Sequence, residues 1–261
     1  MNNYEISRKF LNYGYSVVNF LPAKKIDEIK KILIKRIKKL NRNYKIINNI
    51  NQKNMQNYHL FNFPEVQHKK MLKTSSRYIM LTKALHKTIS RNKDVNLIMK
   101  SDWGHKDFII NWVGSLKKGH TKKKAIGFRI SRPTTKRPKD ATGVHCDLHV
   151  GGKICSDKKV LVSVWLPLVG FNKKYTLRLA PKSHLFDHPT SQFAKSKTVT
   201  NIFSSNYNKS FKFVRPSLKK GQAIIFHSNL LHGESYNEGK KTRFSLEIRY
   251  YNKKKINTWL N

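Results

Sequence analysis

Acidic residues are the clearest deficit of this 261-residue chain. It contains 14 Asp and Glu against 54 Lys and Arg, which gives a formal net charge of +40 at pH 7. The imbalance excludes a surface whose charges cancel, and it favours contact with nucleic acid, an anionic lipid surface or an acidic small molecule. Codons rich in A and T also favour lysine, but they leave the scarcity of glutamate unexplained.

Cysteine and long apolar runs are scarce as well. Two cysteines, Cys146 and Cys155, cannot form a disulfide framework, and they predict reduced thiols in a cytoplasmic protein. The longest apolar run, residues 160–170, is interrupted by Ser163 and Pro167 and falls short of the ~18 residues that a membrane span needs. We therefore expect no transmembrane segment and no secretion signal.

The N-terminal part shows one short strand and helical periodicity. Residues 13–20 are aromatic and β-branched, which predicts a strand. Behind Pro22, apolar residues recur at helical spacing, so residues 22–40 are predicted to form an amphipathic helix with lysines on its outer face. Its apolar positions are Ile26, Ile29, Leu33, Ile37 and Leu40. Residues 66–100 indicate at least one more helix.

Short β-type runs dominate from residue 109 onward. Seven of them predict a sandwich or barrel, and the polar stretch 190–209 predicts a surface loop. The runs are residues 125–130, 144–150, 160–168, 175–180, 211–214, 223–227 and 242–251. We expect one domain over residues 1–261, in which residues 1–108 support a β core formed by residues 109–261.

A candidate metal site begins at His145 and Asp147. Alternate side chains of a strand share a face, so this His-x-Asp pair predicts two ligands directed at one small volume. His232 follows an apolar strand and is the candidate third ligand. Two imidazoles and one carboxylate on one side of a metal are typical of non-haem Fe(II) oxygenases.

A candidate carboxylate clamp follows His232 after ten intervening residues. Arg243 and Ser245 share the polar face of a strand whose other face is apolar. An arginine offers two parallel hydrogen bonds to a carboxylate, and a hydroxyl two residues on adds another. For Arg249, further along the same strand, an exposed position is the favoured interpretation.

These residues together form the pattern H-x-D followed by H-x10-R-x-S. In this pattern the sequence resembles the Fe(II)/2-oxoglutarate dioxygenases, and specifically the phytanoyl-CoA dioxygenase-like branch. Three flanking pieces are similar too: residues 13–33 (YGYSVVNFLPAKKIDEIKKIL), 165–168 (WLPL) and 177–184 (LRLAPKSH). The last piece departs from the family pattern at Lys182, where glycine is favoured.

The resemblance implies a double-stranded β-helix, the cupin-like jelly roll, with N-terminal helices packed on it. It implies Fe(II) bound by His145, Asp147 and His232, and 2-oxoglutarate as cosubstrate with its far carboxylate held by Arg243 and Ser245. The same resemblance places Trp165 beside the 2-oxoglutarate. Molecular oxygen and a small-molecule substrate complete the expected reaction.

Further polar residues are candidates for supporting or substrate-binding roles. His149 shares the face of the His-x-Asp pair by strand periodicity, which favours a partner that orients a ligand over a ligand itself. Arg129, Arg132 and Arg178 lie in or beside predicted strands and are candidate substrate contacts.

The expected activity is hydroxylation of a small, anionic metabolite or biosynthetic intermediate. The high positive charge and the Arg243-x5-Arg249 spacing keep an AlkB-like oxidative demethylase of nucleic acid as an alternative. A non-catalytic polyanion-binding protein on the same fold is the other alternative. Non-specific binding of polyanions is expected in every case.

Overall fold

The computed structural model describes most of the chain between residues 3 and 252. The described residues are 3–73, 76–106, 108–113, 121–123, 125–134, 140–148, 157–194 and 202–252. Their α-helices are α1 (Asn3–Tyr13), α2 (Ala23–Leu40), α3 (Glu65–Met71), α4 (Lys83–Ser90), α5 (Lys93–Asn96) and α6 (Ser205–Lys209). Shorter helical turns cover Lys45–Asn49, Met55–Leu60, Leu97–Asp102, Ser183–Leu185 and Thr190–Gln192.

Helix α2 forms where the sequence predicts it. Pro22 precedes it with a φ of −59°, which is close to the helical value, so the chain enters the helix without strain. Four of the five predicted apolar positions are fully buried and Leu40 is half-buried. The exposed lysines of the outer face are Lys24, Lys31, Lys35 and Lys39. Helix α1 is not predicted, because only Ile6 and Phe10 anchor it to the core.

The strands form one antiparallel sheet. They are β1 (Tyr15–Asn19), β2 (Tyr78–Met80), β3 (Phe108–Val113), β4 (Thr121–Lys123), β5 (Ala125–Ser131), β6 (Leu161–Val169), β7 (Gln222–His227) and β8 (Arg243–Asn252). The order is β1-β7-β6-β8-β3-β4, with β5 paired to both β8 and β2. This arrangement is mainly β with N-terminal helices, as the sequence predicts.

Strand β8 is the centre of the sheet. One edge pairs with β6, and the other is shared by β5 and β3. Its side chains alternate: Phe244, Leu246, Ile248 and Tyr250 enter the main hydrophobic core. The polar residues between them face the opposite side of the sheet. The residues of the predicted site on β8 therefore share one face.

A second layer covers that polar face. It consists of single β-bridges, in which His145 pairs with His232, His232 with Leu179, and Leu179 with Val214. The strands predicted at 144–150, 175–180 and 211–214 are wrong over the residues that the structure describes, because each is reduced to a bridge. The backbone leaves extended pairing after one or two residues, which keeps this layer short and lets its loops turn into the site.

The segment after Ala180 is more ordered than a surface loop. Lys182 has a φ of 68°, the left-handed conformation that a glycine would adopt without strain, so the turn is kept despite the lysine. Beyond it, α6 and a bridge between Phe193 and Phe203 lie within the stretch predicted as a loop. The rings of Phe203 and Tyr207, four residues apart, are in tilted contact with centroids 5.2 Å apart.

No helix among the described residues is long and apolar enough to cross a membrane.

Candidate active site

The predicted ligand group assembles between the two layers. His145, Asp147 and His232 each offer one ligand atom, and these atoms lie within 4.8 Å of one another. All three residues are buried. The β-bridge between the histidines brings their ring centroids to 4.3 Å, so the backbone pairing itself sets the distance between the imidazoles.

Backbone carbonyls fix which ring nitrogen of each imidazole carries a proton. The Nδ1–H of His145 donates to the carbonyl of Gly143 at 2.8 Å, and that of His232 donates to Leu230 at 2.9 Å. A carbonyl only accepts, so each Nδ1 carries a proton, and Nε2 is the nitrogen that holds the lone pair in the neutral form of either ring. Burial, aided by the neighbouring His232, lowers the pKa of His145 to about 3. Its neutral, ligand-competent form is therefore favoured.

Two donors hold the carboxylate of Asp147. Its Oδ1 accepts a hydrogen bond from Arg249 Nη2 at 2.7 Å, and its Oδ2 accepts one from the hydroxyl of Ser163. Burial alone raises the pKa of Asp147, but the charge of Arg249 and the neighbouring His232 outweigh it and hold the pKa below its ordinary value. The carboxylate is thus ionised and oriented before any metal binds.

The structure corrects the interpretation of Arg249. The sequence favours an exposed position, but the side chain is only 13% exposed and forms an ion pair with Asp147. Its register partner across β6 is Ser163, so neighbouring strands place both donors beneath the same carboxylate.

Arg243 is anchored by neutral groups. Its Nη1 donates to the carbonyls of Tyr175 (2.7 Å) and Ser235 (2.9 Å), and its Nη2 donates to Ser131 Oγ (2.7 Å). Burial lowers the pKa of Arg243 to about 9. Neither its Nε nor the hydroxyl of Ser245 has a hydrogen-bond partner among the described residues, although both atoms are buried.

A cavity joins the ligand group to Arg243. Trp165 on β6 forms part of its wall, with the ring centroid 5.9 Å from the guanidinium carbon of Arg243. Leu177 and Phe226, which pack in the same cluster as Trp165, complete the apolar wall. These side chains exclude water from the space between the two ends of the site.

The sequence profile of the phytanoyl-CoA dioxygenase (PhyH) family matches residues 10–245, which is most of the chain and includes the whole predicted motif. The protein belongs to the phytanoyl-CoA dioxygenase family. It is an Fe(II)- and 2-oxoglutarate-dependent oxygenase, which rules out the non-catalytic alternative. No curated protein sequence matches the chain.

Solved structures show the same fold at low sequence identity. AviO1 from Streptomyces viridochromogenes Tue57 is 13% identical with a TM-score of 0.58, over 97% of this chain and 96% of its own. The α-ketoglutarate-dependent carbocyclase SnoK from nogalamycin biosynthesis is 11% identical with a TM-score of 0.58, over 95% and 83%. The epimerase SnoN, solved with Fe3+, α-ketoglutarate and nogalamycin RO, is 12% identical with a TM-score of 0.54, over 96% and 83%. The predicted jelly roll is confirmed.

The residues of this oxygenase fit its cofactors. Two imidazoles and an ionised carboxylate form a donor set that suits iron(II). At the other end of the cavity, the Nε–H of Arg243 is a buried donor that lacks an acceptor. The hydroxyl of Ser245, two residues further along β8, is also buried without a partner, but Ser245 is not among the residues that line the cavity. A buried donor without a partner is costly, and the carboxylate of a bound ligand would supply the missing acceptor.

The three candidate substrate arginines of the oxygenase lie in different places. Arg129 lines the cavity. Arg132 is buried outside that wall and forms ion pairs with Glu65 and Asp140. Arg178 lies over the ring of Phe213 and pairs with Glu234, also away from the cavity wall. The geometry supports a pocket role for Arg129, and structural roles for the other two.

Some site residues escape sequence reasoning. Ser163 and Glu247 line the cavity, yet Ser163 reads as a break in an apolar run and Glu247 as part of a basic strand. The period-two face of β8 was the available signal, because it includes Glu247 and Arg249 with the predicted Arg243 and Ser245. His149, which the sequence predicts as an orienting partner, lies outside the described residues, as do most of the basic residues between 117 and 139.

Proposed function

We propose that this oxygenase hydroxylates a small, anionic metabolite or biosynthetic intermediate, with Fe(II) held by His145, Asp147 and His232. The observation that carries this proposal is that one cavity is lined at one end by the buried ligand group and at the other by Arg243, whose Nε–H lacks an acceptor. We assign the far carboxylate of 2-oxoglutarate to Arg243 and Ser245. Phosphorylated or acidic sugars and lipid-linked precursors are the substrate classes that we favour.

The protein residues prepare the site for chemistry. Iron with 2-oxoglutarate and oxygen supplies the oxidation: one oxygen atom enters a substrate C–H bond, and the other enters the succinate that remains after loss of CO2. The carbonyls of Gly143 and Leu230 hold the imidazole protons away from the metal side. Arg249 and Ser163 hold the carboxylate of Asp147 in one orientation. The protein thus contributes geometry and exclusion of water.

Arg129 supports the anionic character of the substrate. Its Nε donates to Glu247 Oε1 at 2.6 Å, which fixes the side chain against the cavity wall. Its two terminal amino groups have no partner among the described residues, and the side chain is 22% exposed. A fixed guanidinium with open donors in a pocket is suited to a carboxylate or a phosphate.

Succinate release across a panel of substrates tests this proposal. The panel pairs each acidic or phosphorylated compound with a neutral analogue, and it includes methylated and unmodified oligonucleotides. We expect acidic small molecules to stimulate 2-oxoglutarate turnover. Iron-dependent demethylation of an oligonucleotide would instead select the nucleic-acid alternative.

The Arg129→Gln variant sharpens the test. Loss of hydrogen bonds to a charged group should raise the KM of the anionic substrate by about tenfold or more. The matched control is Arg8→Gln, which removes an exposed arginine on α1. An unchanged substrate KM in Arg129→Gln would contradict the assignment of Arg129 as the anion contact.

A further inference from the structure

Four large apolar side chains are exposed on two neighbouring segments, the end of helix α1 and the turn that contains Ser183–Leu185 and Phe186. Leu11 and Tyr13 are 45% and 46% exposed, and Leu185 and Phe186 are 62% and 56% exposed. We call these four side chains the apolar patch. Single exposed apolar residues are common on proteins, but a contiguous group marks a surface that meets another apolar phase.

Hydrogen bonds hold the two halves of the patch together. The backbone N–H of Lys182 donates to the carbonyl of Tyr13 at 3.0 Å, and His184 Nε2 donates to the carbonyl of Leu11 at 2.9 Å. The carbonyl of Phe186 accepts from the side chain of Asn229 at 2.8 Å. The exposed side chains therefore project from a fixed backbone.

Basic groups surround the patch. Arg8 is exposed one turn before Leu11 on α1, and the ammonium of Lys182 lies 5.9 Å from the ring centroid of Tyr13. The nearby acids are already paired: Glu5 with Lys9, and Asp187 with Lys158. The rim therefore presents positive charge to whatever approaches the apolar centre.

The combination of apolar centre and basic rim selects among partners. A second copy of this chain would cover the apolar side chains, but it would bring one +40 molecule against another. The phosphates of nucleic acid would attract the basic groups, but they would not remove the exposed apolar side chains from water. An anionic lipid surface satisfies both, because acyl chains receive the apolar groups and acidic headgroups attract the basic ones.

We propose that the apolar patch docks this oxygenase peripherally on an anionic lipid surface. The leucines and aromatic rings enter the headgroup region while Arg8 and Lys182 contact acidic headgroups. Most of the chain's positive charge then adds long-range attraction, which gives the deficit of acidic residues a role that the active site does not require. This proposal does not depend on the identity of the hydroxylated substrate.

Co-sedimentation with lipid vesicles tests the docking. The full-length protein is mixed with vesicles of phosphatidylglycerol and phosphatidylcholine, or of phosphatidylcholine alone, at low and high salt. We expect binding to the anionic vesicles that weakens with salt. The double variant Leu185→Ser/Phe186→Ser should lower the partition coefficient by about tenfold or more, because two large apolar groups no longer leave water.

The matched control is Leu60→Ser/Val66→Ser. These side chains are 69% and 79% exposed. Leu60 lies near the start of β8, where the neighbouring His59 contacts Thr242. The control should bind vesicles like the wild type, and all variants should keep the wild-type melting temperature. Equal binding by both double variants, or no binding by the wild type, would overturn the proposal. A dimer in light scattering that Leu185→Ser/Phe186→Ser abolishes would also overturn it, in favour of a second copy.

Discussion

The two ends of the active-site cavity each hold a buried arginine, but the groups around the two guanidiniums differ in charge. At the metal end, Arg249 faces the carboxylate of Asp147, and this charge raises the pKa of Arg249 although burial opposes it. At the far end, the hydrogen-bond acceptors of Arg243 are all neutral, and burial lowers its pKa to about 9. An arginine that already has its anion positions a neighbour, whereas one that lacks it is prepared for a ligand.

The largest effect should come from removing the charge at the metal end. Arg249→Met leaves Asp147 as a buried carboxylate without its ion pair, which typically costs ~3–5 kcal/mol. We expect that loss in the unfolding free energy of the metal-free protein, measured by denaturant titration. The conservative variant Arg249→Lys should recover part of the loss, since an ammonium still supplies the charge.

Iron affinity gives a second readout for the same residue. If Arg249 orients Asp147, Arg249→Met should weaken Fe(II) binding about 10- to 100-fold, the usual cost of losing a partner that orients a ligand. Wild-type stability together with wild-type iron affinity would contradict the positioning role.

At the far end, a substitution should change the apparent KM for 2-oxoglutarate more than it changes the free energy of unfolding. Arg243→Met removes one partner of an enclosed charge pair, so the apparent KM for 2-oxoglutarate should rise by roughly two to three orders of magnitude. Without 2-oxoglutarate, this variant should lose less unfolding free energy than Arg249→Met, because no carboxylate loses its partner. Turnover at varied 2-oxoglutarate concentration measures the KM, with calorimetric titration as a check on binding, and denaturant titration measures the unfolding free energy. A larger loss of unfolding free energy in Arg243→Met than in Arg249→Met would contradict the comparison.

The patterns that the sequence predicted well are those with a regular period. Helix α2 and strand β8 have regular apolar spacing, β6 and β7 are mostly apolar runs, and the His-x-Asp pair and Arg-x-Ser lie in short local motifs. Arg249 was misjudged because its partner Asp147 is 102 positions away, and no local pattern reports an ion pair across that distance.

The second layer shows the other limit of sequence reasoning. The runs around His145 and Leu179 have the composition of strands, but each pairs through a single bridge before turning. Extended pairing ends where loops must fold over the site, and tertiary contacts override the local β propensity there.

A smaller loss of unfolding free energy is expected from a substitution beside the cavity, in the ion pairs that attach α3 to the β core. Asp140 accepts hydrogen bonds from Arg132, and the charges of Arg132 and His68 lower its pKa although burial opposes them. Asp140→Asn leaves Arg132 with Glu65 alone, so we expect a loss of ~1–3 kcal/mol near pH 7. Denaturant titration against pH measures it.

The sign of the pH dependence follows from the lowered pKa. A carboxyl group whose pKa is lower in the folded state stabilises that state above its unfolded pKa of ~3.9, and the contribution fades as pH falls below that value. The gap in unfolding free energy between wild type and Asp140→Asn should therefore narrow below about pH 4. A gap that widens in acid would contradict the ion-pair account.

Anaerobic titration with Fe(II) and 2-oxoglutarate tests the central claim most directly. The visible charge-transfer absorption of the iron chelate reports both the metal site and the bound cosubstrate. We expect the wild type to saturate at one iron per chain, His232→Ala to show no such band, and Arg243→Met to need far more 2-oxoglutarate to reach it. A full band at one iron per chain in His232→Ala would contradict the assignment of His145, Asp147 and His232 as the metal ligands.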